Sequence, residues 1–136
     1  MYRIENTDYG IKIIASGIVS AHEVAQYLKD VTVAARAQKR GFCIMIDAKE
    51  LGPLERGGQK YLLRSHEVFL DCGVCRVSSV VGSPVARSQF IQLSFQSGLK
   101  ENVRHFDMSS VSDWEQPAMD WIIRGIEPDK KKCPLS

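Results

Sequence analysis

The run Phe42-Cys43-Ile44-Met45-Ile46-Asp47 constrains this chain more than any other segment: unbroken apolar side chains end on a carboxylate, with Gly41 before them and Gly52-Pro53 after. So few residues do not make a stable helix. A strand that is apolar on both faces belongs in the middle of a sheet covered by helices on each side. The chain is therefore expected to be an α/β protein. In such a sheet, ligands and partners meet the loops at the carboxyl ends of central strands, so Asp47 to Gly58 is the first candidate surface.

The rest of the pattern agrees with this. Tyr2 to Ile4 and Gly10 to Ile18 flank the turn-like Asn6-Thr7-Asp8-Tyr9-Gly10 and predict an opening hairpin. Ser20-Ala21-His22-Glu23 has the spacing of a capping box. It predicts a helix whose buried stripe is Val24, Leu28, Val31 and Ala35, with Gly41 as its stop. Glu55 to Asp71 reads as a second helix, Leu62 and Phe69 inward, closed by Gly73. Val74 to Val81 reads as a strand, and Ser83 and Pro84 as the N-cap and first residue of a third helix with Ala86, Phe90 and Leu93 inward. Val103 to Phe106 is a last strand. Ser112 or Asp113 caps a final helix with the stripe Trp114, Ala118, Trp121 and Ile122, in which Pro117 falls in the first turn. The expectation is one mostly parallel mixed sheet of about five strands with four helices, its first strand antiparallel at an edge.

A chain of 136 residues makes one domain, expected over residues 1–126, with 127–136 a polar tail. Eighteen basic against sixteen acidic side chains leave a net charge of +2. That is too even to point to nucleic acid or a membrane surface. Lys39-Arg40 reads as a solvated helix end and Lys130-Lys131-Lys132 as part of the tail. The first residues show no secretory signal and no stretch has the length of a membrane span, so a cytoplasmic location is expected, with the four cysteines as thiols.

No residue set spells out a reaction. Gly52-Pro53-Leu54-Glu55-Arg56-Gly57 has the two-glycine spacing of a phosphate loop, but the lysine and hydroxyl that such a loop needs are replaced by Gly58-Gln59-Lys60. What remains is a glycine-softened helix start beside Arg56 that can hold an anion or a partner's carboxylate. Equally, the glycines serve to relieve crowding where the helix crosses the sheet. Cys72-Gly-Val-Cys75 is a possible dithiol, yet it closes a helix rather than opening one, and His22, His66 and His105 lack ligand spacing for zinc. Ser65-His66-Glu67 holds triad residue types that diverge on a helix. Asp47 is expected to bind loop amides. No metal or cofactor is expected.

Gly10-Ile11-Lys12-Ile13-Ile14-Ala15-Ser16-Gly17, Ile44-Met45-Ile46-Asp47-Ala48 and Leu51-Gly52-Pro53-Leu54, in this strand-helix order, resemble the STAS domain. That fold is shared by anti-sigma factor antagonists and the cytoplasmic tails of sulfate transporters, and the likeness is greatest to stand-alone SpoIIAA-like proteins. It covers roughly Tyr2 to Gly125. In the antagonists the resemblance implies a phosphorylatable serine at the helix start and a kinase that reads it. The matching segment here, Leu54-Glu55-Arg56-Gly57-Gly58, has no hydroxyl. Some SpoIIAA-like proteins are also similar to the lipid-carrying Sec14-type fold.

The leading reading is a non-enzymatic regulatory or protein-interaction module. Asp47, Glu55, Arg56, Gly57 and Gly58, with Ser83 and Pro84, are its candidate contact residues for a protein partner. The alternatives are a carrier or sensor of a small apolar or anionic ligand, and a thiol enzyme using Cys72 and Cys75. A homodimer is compatible with the edge strands, though no feature demands one.

Overall fold

A computed structural model describes residues 1–109 and 113–128. Within them the chain runs β1 (Tyr2–Asn6), β2 (Gly10–Gly17), α1 (Ala21–Arg36), β3 (Cys43–Leu51), α2 (Arg56–Asp71), β4 (Val77–Val81), α3 (Pro84–Ser97), a 3-10 turn at Leu99–Glu101, β5 (Val103–Asp107) and α4 (Glu115–Arg124). Among the described residues the five strands form one sheet in the order β1-β2-β3-β4-β5. β1 is antiparallel to β2, and β2 to β5 are parallel.

Side chains alternate along β3 as the pleat requires. Ile44 faces the core under α1 and α2, while Cys43 and Met45 pack with Phe106, Ala118, Trp121 and Ile122 under α4. Ala48 joins Val81, Phe90 and Leu93 under α3. Helices α1 to α3 thus cover one face and α4 the other. This is why the first half of the central strand, Cys43 to Ile46, has no polar face, and it bears out the fold expected from the run at 42–47.

Several boundaries moved. β3 runs on to Leu51, because after a bulge between Ile14 and Ser16 the long β2 continues to pair, Ser16 with Glu50 and Gly17 with Leu51. β4 begins at Val77 rather than Val74. α1 ends at Arg36, and Gly41 (φ 95°) lies in the turn beyond it rather than at its stop. In the α1 stripe Tyr27 is buried and Leu28 only half-buried.

Local signals held where the chemistry was local. Ser20 Oγ accepts from Glu23 N at 3.1 Å. The capping box is only half made, since the Glu23 carboxylate pairs with the N-terminal amine at 3.0 Å. Ser83 Oγ caps α3 through Ala86 N at 3.1 Å, with Pro84 first in the helix. On the far face Trp121 Nε1 donates to Val77 O at 3.0 Å, tying α4 to β4. Ser112 and the sequence 129–136, including the lysine run and Cys133, lie outside the described residues.

Candidate functional site

The parallel strands all point their carboxyl ends at one edge of the molecule, and the loops after β2, β3 and β4 lie there side by side. The β3–α2 connection is short, from Gly52 to Glu55, because the strand consumed residues 47–51. Asp47 therefore sits inside β3 and not at its end. It is 9% exposed and binds Lys49 twice: Oδ2 to Nζ at 2.5 Å and Oδ1 to the Lys49 amide at 3.3 Å. Lys49 Nζ in turn lies 5.4 Å from the centre of the Trp114 ring. Asp47 thus satisfies a strand amide and a lysine on the α4 side, away from the start of α2, and does not bind the loop amides expected of it.

Glu55, Arg56, Gly57 and Gly58 do come together, around the start of α1. Glu55 holds the N-cap position of α2 without capping that helix. Its Oε2 instead accepts the Ala21 amide of α1 at 3.1 Å, so one carboxylate ties two helix starts together. An added Cβ on Gly57 would lie 3.3 Å from Ala21 Cβ, and one on Gly58 would lie 3.1 Å from Val24 Cγ2. The glycines thus relieve crowding against α1, not against the sheet. Arg56 stays exposed at the first helical position. Because Glu55 caps α1 across the groove, Glu55→Ala is expected to cost about 0.5–1 kcal/mol, the usual value of a lost cap, as a fall in the urea midpoint.

Ser83 and Pro84 open α3 at the end of the neighbouring strand. The loop before Ser83 leaves β4 close against the neighbouring β3: a Cβ on Gly82 would lie 2.2 Å from Lys49 O. Around this edge are aliphatic side chains that sequence reasoning passed over. Ile18, after β2, is 81% exposed, and Val85, in the first turn of α3, is 71% exposed. Ile18 ends an apolar strand pattern and so reads as strand, which hid it.

The cysteine pair does not converge. Cys72 packs against the α1–α2 core and Cys75 against the α4 core, on opposite faces of the sheet. Cys75 lies beside Cys43 instead, whose thiol is pushed up chiefly by burial. Ser65, His66 and Glu67 diverge as expected: Ser65 Oγ donates to Leu62 O at 2.6 Å, and Glu67 pairs with Arg64 at the surface. His66 and His105, far apart in sequence, both line a cavity under α1 to α3. Burial holds His66 down to about 4 and is the main reason His105 falls to about 3, so both rings are neutral near pH 7. Their meeting had no sequence signal, since one lies on a helix and the other on the edge strand.

A mixed five-stranded sheet with three helices on one face and one on the other, its loops gathered at the carboxyl edge, is the STAS architecture. Among solved structures, the anti-sigma factor antagonist SpoIIAA in its unphosphorylated form is similar with a TM-score of 0.61 and 19% identity, over 93% of this chain and 98% of that one. The phosphorylated form of SpoIIAA, a Bacillus cell fate determinant, is similar with a TM-score of 0.56 and 18% identity, over 80% of this chain and 94% of that one. No protein-family model and no curated protein matches the chain. At these identities the likeness is one of fold, and the fold is SpoIIAA-like. Among the described residues no helix is long and apolar enough to cross a membrane.

Proposed function

We propose that this protein is a non-enzymatic regulatory module that docks a partner protein on the carboxyl edge of its sheet. The observation that carries the reading is the exposure of Ile18 and Val85 on the loops that flank the start of α2, where Arg56 is also exposed. Aliphatic side chains grouped at a loop edge favour burial against another surface. Arg56, beside a helix start that no side chain caps, favours carboxylates around that patch. The matching partner surface is apolar at its centre and acidic at its rim. Similarity to an anti-sigma factor antagonist supports the same reading. Glu55 to Gly58 has no hydroxyl, so recognition here proceeds without phosphorylation of that segment. Glu55 contributes by holding α1 and α2 together, and Gly57 and Gly58 by letting them approach.

The test is a photo-crosslinking side chain placed in cells at Ile18 or Val85, with Val33 as control. Val33 is 72% exposed near the far end of α1. A single discrete protein adduct is expected at Ile18 and Val85 and none at Val33. Arg56→Glu, which reverses a rim charge, is expected to reduce the adduct about tenfold, equivalent to about 1.4 kcal/mol. Equal adducts at Val33, or none at the carboxyl edge, would overturn the reading.

A further inference from the structure

Cys75 meets Cys43 through a local irregularity of the sheet. The backbone bonds on either side of Cys43 run from Cys75 N to Phe42 O at 2.7 Å and from Ile44 N to Arg76 O at 3.0 Å. From there on Ile44 pairs with Val77 in regular register. Two residues, Cys75 and Arg76, thus stand opposite the single residue Cys43, which is the count of a β-bulge. In a regular strand their side chains would leave on opposite faces. Here both reach the α4 face. Arg76 Nε and Nη2 donate to Ile122 O at 3.3 Å and 3.1 Å, Cys43 Sγ donates to the same carbonyl at 3.2 Å, and Cys75 packs with Cys43 in the core under α4.

The two thiols lie within hydrogen-bond reach of each other. Cys43 is buried and Cys75 only half-buried, so a small oxidant reaches Cys75 first. Burial raises the Cys43 thiol above its ordinary value, while the amide and the charge of Arg76 oppose part of that rise and so favour the thiolate. When Cys43 gives up its proton, Ile122 O keeps both Arg76 donors, and no buried carbonyl is left without a partner. Cys72 packs on the other face of the sheet, out of reach of both.

We propose that Cys43 and Cys75 form an oxidation site, at which hydrogen peroxide converts the two thiols into a disulfide across the bulge. The Cys75 sulfur, as thiolate, attacks one peroxide oxygen. The O–O bond breaks, and the leaving hydroxide takes up the proton given by the thiol and departs as water. Cys75 then carries a sulfenic acid. The Cys43 sulfur, losing its proton, attacks the Cys75 sulfur, and the S–O bond breaks to release a second water. Two electrons pass from the thiols to the peroxide. The site is independent of the partner surface, and its test does not involve a partner.

The experiment treats the reduced full chain with equimolar hydrogen peroxide, labels the remaining thiols with N-ethylmaleimide in denaturant, and maps the unreduced digest by mass spectrometry. A peptide linking Cys43 to Cys75 is expected as the main disulfide, cleaved by dithiothreitol. The labels on Cys43 and Cys75 are expected to fall together while Cys72 keeps its own. Cys43→Ser is expected to leave the Cys75 sulfenic acid without its attacking thiol, so that dimedone traps it. A main bond from Cys75 to Cys72 or Cys133 would overturn the assignment. So would a Cys43 that keeps its full label, whether or not Cys75 is oxidised. If Cys43→Ser does not fold, the peptide map of the unmodified chain decides alone.

Discussion

Between pH 6.5 and pH 4.5 this protein is expected to lose about 5 kcal/mol of stability, a large part of what a domain of this size has. The cause is the pair of buried histidines. His66 is held at about 4 by burial, and His105 at about 3 by burial first and then by the like charges of His66, Arg87 and Arg104. Well above pH 6.5 both rings are neutral in the folded and the unfolded chain, so there they give stability no slope. Below it the unfolded chain takes up two protons that the folded chain refuses. Each ring then removes about 1.4 kcal/mol per pH unit until its folded value is reached. Ordinary carboxylates titrate mainly below this window. Urea midpoints at half-unit steps will show the slope, and His66→Gln is expected to remove about half of it, whatever it does to stability at pH 7. A flat profile from pH 6.5 to pH 5 would mean that the rings are hydrated or paired as cations.

Gly10→Ala is expected to be the most damaging single methyl addition at a turn. Gly10 has φ 146°, and an added Cβ would lie 2.2 Å from the carbonyl oxygen of Cys43, the residue it pairs with on β3. Two costs add. The backbone conformation alone is worth about 1–3 kcal/mol for a residue with a side chain. Relieving the clash means pushing β2 from β3 at the first rung of the central ladder, and breaking the turn in which Thr7 N donates to Gly10 O at 3.0 Å and Gly10 N donates to Thr7 Oγ1 at 3.1 Å. A total above about 3 kcal/mol is expected, read as a fall in the urea midpoint of about 1 M or more. Gly57→Ala is the control. Its Cβ meets only Ala21 Cβ at 3.3 Å, and the gain in helix propensity of about 1 kcal/mol offsets that contact, so its midpoint should hardly change. Equal midpoints for the Gly10 and Gly57 variants would refute the strand-contact account.

Much of the fold was legible because its signals are short-range. Ser83 and Pro84 open α3 as read, and Gly73 (φ 83°) ends α2. The stripe Ala118, Trp121 and Ile122 is buried on α4 as its spacing predicts. What failed was whatever depended on a neighbour far along the chain. Asp47 looked like the end of a strand because the apolar run stops there, yet β2 and β4 continue to pair beyond it and carry β3 to Leu51. Glu55 reads only as a candidate contact residue, and no local pattern announces that its carboxylate takes an amide 34 residues earlier. Cys72 and Cys75 read against a dithiol because they close a helix, but only the packing shows that the turn sends them to opposite faces.

Periodicity, caps and turn residues reflect interactions within a few positions of each other, so the order of strands and helices and the α/β architecture were already written in the residues. The carboxyl edge followed from that order. The exposure of Ile18 and Val85, and the cavity that brings His66 and His105 together, belong to the packed chain alone. Burial and charge at those positions are set by side chains tens of residues away, brought into contact only when the sheet closes under its helices.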